Sequence, residues 1–128
     1  DAYLKDIPMT DHAFLYRTNS LMLAGVPTAF GTDLPFGQPD PWAAMDAATK
    51  RTTSSGHLLN EAECITPESA LNGFLGELSA PSSIRSIKPG APADCCLLDA
   101  PWHVLRNDLS SAHVLMTIRD GELIYSRD

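Results

Sequence analysis

The run Val26-Pro27-Thr28-Ala29-Phe30-Gly31 is mostly apolar, carries no charge and ends on Thr32-Asp33. A run of this kind predicts a strand covered on both faces, as parallel sheets require. Pro27 is tolerable near its start, because that position can lie outside the ladder. The rest of the chain supplies no parallel neighbour for it. Amphipathic helices around one buried strand cannot make a sheet by themselves. The missing strands are therefore expected in sequence beyond these 128 residues. The chain starts at Asp1 without an initiator Met, which fits a beginning inside a longer gene product. Processing would give the same start.

The segments around this run read as helix. Thr10 or Asp11 can cap a helix through the next dozen or so residues, with Phe14, Leu15, Leu21 and Met22 on its inner face and Gly25 as its stop. After Thr32-Asp33 comes a Pro- and Gly-rich loop, residues 34–39. Asp40, with Pro41 at the first helical position, opens a second helix in which Trp42, Met45 and Ala48 share a face. Thr66-Pro67-Glu68 opens a third by the same chemistry, carrying Ala70, Leu71, Phe74, Leu75 and Leu78. Gly73 and Gly76 each weaken it by up to ~1 kcal/mol relative to Ala; close packing would explain them.

Near Ala80 the helical period disappears. Residues 83–87 lead into a turn at Lys88-Pro89-Gly90, and residues 95–98 and 113–118 read as strands. Arg119-Asp120-Gly121-Glu122 is a hairpin turn, with Asp-Gly accepting positive φ cheaply, and residues 123–125 return as its partner strand. The expected organisation is α/β over residues 1–80 and a small antiparallel unit over residues 81–128.

Charge narrows the function classes. Lys plus Arg is 9 and Asp plus Glu is 16, a formal charge of −7, and no basic run exists. Such a chain is a poor ligand for a phosphate backbone, so no nucleic-acid partner is expected. The longest apolar stretch, residues 21–26, falls far short of the ~20 residues that span a bilayer, so no membrane role is expected. Cys64, Cys95 and Cys96 form neither a disulfide framework nor a C-x-x-C zinc motif. A reducing, cytoplasmic setting follows as the modest expectation.

The residues that could carry chemistry centre on Asp33. A buried strand ending in Gly-Thr-Asp places a carboxylate at its C-terminal tip, where α/β enzymes hold their reacting groups. Such a carboxylate can bind a metal and accept a proton from metal-bound water. On the motif alone, a plain turn- or helix-capping Asp outweighs that role.

The longer string shifts the balance. Residues 24–35, then Pro39-Asp40-Pro41-Trp42, Ala47-Ala48-Thr49-Lys50-Arg51, residues 65–71, residues 87–94, Leu97-Leu98-Asp99 and Asp120-Gly121 together resemble the amidohydrolase superfamily. Within it they are most similar to the amidohydrolase-3 branch, the YtcJ-like and N-substituted formamide deformylase-like enzymes. The resemblance implies the C-terminal part of a metal-dependent (β/α)8 barrel, with residues 26–31 as the last barrel strand. A small β-sandwich segment would follow, and Ile84 to Tyr125 looks like its C-terminal contribution. It also implies one or two divalent ions, zinc above all, at the barrel mouth. Asp33 would then ligate or border the metal, take the proton from the attacking water and pass it to the leaving nitrogen. The substrate class implied is a small amide, formamide or cyclic amide.

The family's other ligands are a His-x-His pair on the first strand, a Lys or Glu midway and later histidines. The histidines here, His12, His57, His103 and His113, include no such pair, and none ends a credible barrel strand. The chain alone is thus expected to bind no metal and to be inactive. Residues 72–78 also depart from the branch's usual Tyr-Thr and small-residue pattern.

Other candidates read more simply as structure. His12 beside a helix start, His57 in a polar loop and His113 at a strand start suit surface or edge positions. Phe36 and Trp42 flank the Asp33 loop as candidate substrate-binding residues; Trp42 serves equally well as a helix-packing anchor. Arg51 suits a helix end, with a substrate-carboxylate role unsupported. Asp94 fits a turn capped by its carboxylate. Two functions remain open: a C–N hydrolase, or a non-catalytic assembly or oligomerisation module. Expected partners are the remainder of the barrel or another copy of the chain, in a homo-oligomer. Apolar faces around Phe14, Leu21, Phe30 and Met45 are expected to lack partners within the chain.

Overall fold

A computed structural model describes all residues, 1–128. The helix-start signals act as the sequence predicts. Helix α3 (Pro41–Lys50) begins where the Asp40 carboxylate accepts the Trp42 N–H at 2.9 Å, with Pro41 filling the first helical position. Helix α4 (Pro67–Leu75) begins where the Thr66 hydroxyl oxygen accepts the Ser69 N–H at 3.1 Å. It ends at Leu75 rather than reaching Leu78. Gly76 turns into strand β1 (Gly76–Glu77), which pairs antiparallel with β2 (Ala80–Ile84), and Leu78 is left fully exposed. The extended run expected at residues 83–87 therefore begins earlier, at Ala80.

The N-terminal region departs further from the reading. Helix α1 (Ala2–Asp6) comes first, and the single helix expected after Thr10 is two pieces: a 3-10 turn, Met9–Phe14, and helix α2, Thr18–Leu23. The break falls at Tyr16, whose φ of 50° is left-handed. Its cause is tertiary. The Arg51 guanidinium donates to the carbonyls of Leu15 (2.9 Å) and Tyr16 (3.0 Å), drawing both out of any helical ladder. Gly25 does stop α2. Its N–H donates to Met22 O and that of Val26 to Leu21 O, the paired bonds of a Schellman ending, with Gly25 at φ 74°.

Residues 26–31 are extended but belong to no sheet, parallel or antiparallel. Among residues 27–32 only Phe30 makes a backbone–backbone hydrogen bond, its N–H donating to Gly73 O at 2.8 Å. The run lies against α4, and Phe30 meets Phe74 edge to face with centroids 5.9 Å apart. A strand needs a neighbour with the matching pattern, and no other segment here has one.

The core consists of Met45, Ile65, Ala70 and Leu109, with Met22, Phe30, Trp42, Leu71, Phe74 and Trp102 packed around it. Met45, expected to lack partners, is instead fully covered, because α3 and α4 close over it with Leu109. Phe14 and Leu21 stay exposed as expected. Leu109 arrives from a segment read without regular structure. The 3-10 turn Leu109–Ser111 folds back onto α3, and helix α5 (Trp102–Leu105) before it is tied to the start of α4 by the Trp102 indole N–H, which donates to the Glu68 carboxylate at 3.2 Å; Leu105 and Leu109 are both buried. Residues from both halves of the chain thus share one small core.

Strands β3 (Cys95–Leu98), β4 (Val114–Arg119) and β5 (Glu122–Ser126) form an antiparallel sheet in that order. The β4–β5 turn is carried by Asp120 and Gly121, at φ 49° and 81°, as the Asp-Gly signal predicts. The Asp94 carboxylate accepts the Asp120 N–H at 2.8 Å and braces that turn. Leu97, Met116, Leu123 and Ile124 remain exposed on the sheet. No helix of the chain is long and apolar enough to cross a membrane.

Candidate functional site

Asp33 stands where the extended run gives way to the loop. Its φ of 57° is left-handed, and its carbonyl accepts the N–H groups of both Phe36 and Gly37 at 2.8 Å. The loop is wound tightly: a Cβ on Gly37 would collide with the Thr32 carbonyl oxygen, so only glycine fits there. The Leu34–Pro35 peptide is cis. The result is an exposed carboxylate carried on a backbone fixed from both sides.

A cleft of about 490 Å³ lies between the extended run and α3, lined by Tyr16, Ala29, Phe30, Gly31, Arg51 and Leu59 among others; Asp33, two residues beyond Gly31, is not part of its lining. Arg51 organises one wall. It caps α3 in the left-handed region (φ 47°), and its guanidinium donates to the carbonyls of Leu59 (2.8 Å), Tyr16 and Leu15. The sequence reading gave Arg51 a helix-end role, and here it fastens two further segments as well. Tyr16 donates its hydroxyl to the Tyr3 oxygen at 3.2 Å, the rings 5.7 Å apart and tilted by 46°. The phenol of Tyr16 is pushed above its usual range by that hydrogen bond to Tyr3, then by burial, by Tyr3's charge and by the charge of Asp33.

The remaining candidates are dispersed. Phe36, next to Asp33 on the loop, is 90% exposed and does not line the cleft. Trp42 packs against the core, the anchor role. His12 pairs its Nε2 with Ile7 O at 2.9 Å. His57 contacts the Ser55 hydroxyl of its own exposed loop at 2.8 Å, and that hydroxyl also donates to the carboxylate of Asp1 at the start of α1. His113 donates its backbone N–H to Asp99 at 3.0 Å.

No group of three His, Cys, Asp or Glu side chains converges. The zinc that the resemblance implies therefore does not fit a donor set made by these residues alone, since a zinc site takes three or four protein ligands. Asp33 could at most contribute one.

Sequence reasoning missed Glu63. It is 4% exposed, and its carboxylate accepts the Ser20 N–H at 2.9 Å and the Ser20 hydroxyl. Those two bonds, the hydroxyl first, hold the carboxyl below its usual range; burial opposes them, while Asn19's backbone and the Arg51 charge assist. Asn19 adds a bond from its side-chain amide to Ala62 O at 2.9 Å. The pair ties α2 to the 3-10 turn Glu61–Glu63. Nothing in the polar stretch around it distinguishes Glu63 from a solvated loop residue.

The profile described as "Amidohydrolase family" matches residues 6–125. An N-substituted formamide deformylase of Arthrobacter pascens is 31% identical over 122 residues, covering 91% of this chain. The chain spans 22% of that relative's length. No solved structure gives a significant match. A profile match running from α1 to β5 takes in the Asp33 loop, both capped helices and the Asp-Gly hairpin in their order, and on that ground the chain belongs to the amidohydrolase family, in its amidohydrolase-3 branch.

Proposed function

We propose that this chain is the C-terminal portion of a hydrolase that cleaves the C–N bond of a small non-peptide amide, and that Asp33 is its general base. The observation that carries the reading is the family match across residues 6–125 together with a fixed, exposed carboxylate at the end of the extended run. The relative's name supplies the substrate class, an N-substituted formamide. In this reading Asp33 takes one proton from water as the water oxygen bonds to the carbonyl carbon. It returns that proton to the nitrogen as the C–N bond breaks, releasing a carboxylic acid and an amine. The metal that the family implies, zinc above all, would draw its ligands mainly from residues outside these 128.

The backbone of residues 27–32, paired only through Phe30 and otherwise open, supports a role as the last strand of a parallel (β/α)8 barrel, because it offers free N–H and C=O groups to which a neighbouring strand can pair. The exposed apolar side chains of β3–β5 support a second layer over that sheet, as in a small β-sandwich. On this view residues 1–80 close the barrel and residues 81–128 contribute to the sandwich. The same exposed side chains favour one other reading, a non-catalytic assembly module that pairs with a second copy.

Turnover by the full-length gene product separates the two. In Asp33→Asn, general-base loss predicts a fall in kcat of about 10²–10⁴-fold with unchanged circular dichroism. Equal turnover in wild type and variant rejects the role assigned to Asp33.

A further inference from the structure

The backbone of this chain is left-handed at five residues other than glycine: Tyr16, Asp33, Arg51, Asn60 and Asp120. Three have local reasons, since Arg51 caps the end of α3, Asn60 the start of the Glu61–Glu63 turn, and Asp120 a hairpin. Tyr16 and Asp33 have none of these. A large aromatic residue is a poor choice for that conformation, which costs roughly 1–2 kcal/mol relative to glycine or asparagine. Arg51 offsets the cost by holding the Leu15 and Tyr16 carbonyls. If only the bend between the 3-10 turn and α2 mattered, glycine would make it without help. The side chain of Tyr16 is what the strain retains.

That side chain stands beside Tyr3 and lines the same cleft as Gly31, two residues before Asp33. Tyr16 is 59% exposed and Tyr3 is 47% exposed, so the two rings form an open aromatic surface rather than core packing.

Resting on the reading of Asp33 as the general base, we infer that Tyr16, with Tyr3 beside it, is a substrate-binding residue that receives the apolar substituent on the scissile nitrogen. Binding a flat substituent against these rings directs the leaving nitrogen toward the Gly31 wall of the cleft, from which the run leads to Asp33 two residues on, the group that returns the proton. An aromatic contact of this kind distinguishes N-aryl from N-methyl amides and leaves the chemistry of the amide itself alone.

The test uses the full-length protein, with N-phenylformamide and N-methylformamide as paired substrates. Tyr16→Asn removes the ring while tolerating the left-handed backbone; Tyr16→Phe keeps the ring; Tyr3→Ala sits on a helix with no buried residue and leaves the fold intact. The expected result is a KM for N-phenylformamide raised about 10-fold in Tyr16→Asn with kcat held, and a smaller rise in Tyr3→Ala. Tyr16→Phe should show a far smaller rise in the N-phenylformamide KM than Tyr16→Asn, and the ratio of the two substrates' KM values should shift only in the variants that lose a ring. Equal changes for both substrates, or none for either in Tyr16→Asn and Tyr3→Ala, overturn the inference alone. If Tyr16→Asn fails to fold, Tyr3→Ala decides by the same ratio. Absence of turnover on both formamides by wild type overturns the proposed function and this inference with it.

Discussion

The ring of Phe30 lies where a side chain on Gly73 would begin: a Cβ there would sit 2.7 Å from two of its carbons. The contact joins the extended run that leads to Asp33 to the middle of α4, beside the hydrogen bond from Phe30 N to Gly73 O. Gly73 is buried, and Phe74 holds the Phe30 ring from the side.

Gly73→Ala sets two effects against each other. Helix propensity favours Ala by ~1 kcal/mol. Overpacking against a ring core that Phe74 prevents from retreating costs about 1–3 kcal/mol. The clash should win by about 1 kcal/mol, lowering the urea midpoint at unchanged slope. Adding Phe30→Leu should return most of the loss. A midpoint that rises in the single variant contradicts the contact.

How much of this was legible follows from the range of each signal. Asp40-Pro41, Thr66-Pro67 and Asp120-Gly121 act within a few residues, and each produced the element its chemistry predicts. The Asp33 loop was legible for the same reason, as the end of an uncharged run followed by Pro and Gly. What failed depended on distant partners. The break at Tyr16 needs Arg51, which lies 35 positions away. The burial of Leu109 needs α3 and α4, and ten residues of mixed polarity carry no period that announces it. Tyr16 lies inside the stretch expected to form one helix, and nothing local singles it out.

Glu63 makes stability depend on pH. Its carboxyl is held below the usual range in the folded chain, so its contribution is complete above the unfolded carboxylate pKa, ~4.3, and disappears as pH falls through the lower folded value. Glu63→Gln should remove about 1–3 kcal/mol at neutral pH, because the Ser20 donors lose a charged acceptor. The difference between wild type and variant should narrow below pH 4, which thermal melts between pH 3 and pH 7 measure. A constant difference across that range would show that the carboxylate's charge is not what Ser20 recognises.

The shared core predicts that the C-terminal half is needed by the first. Leu109 is 1% exposed and touches the Met45, Ile65 and Ala70 cluster. Leu109→Ala should cost about 2–5 kcal/mol, the range for a buried leucine whose site cannot collapse. Loss of a single cooperative transition, read by tryptophan fluorescence at Trp42 and Trp102 together, is the expected sign; two independent transitions would mean the halves fold separately.

Arg51 is the residue that holds the cleft wall in place, and lysine cannot replace it. One guanidinium serves the Leu59, Tyr16 and Leu15 carbonyls from Nε and both terminal nitrogens, a fan of donors that a single ammonium on a longer stem does not reproduce. Arg51→Lys keeps the charge and the αL cap but frees at least two carbonyls. The expected cost is about 1.5–3 kcal/mol in a urea melt. Backbone amide exchange should rise at residues 15–18 before it rises in α4, because the left-handed turn at Tyr16 loses its restraint first. Uniform exchange across both regions would place the Arg51 contribution in global stability and remove its special link to Tyr16.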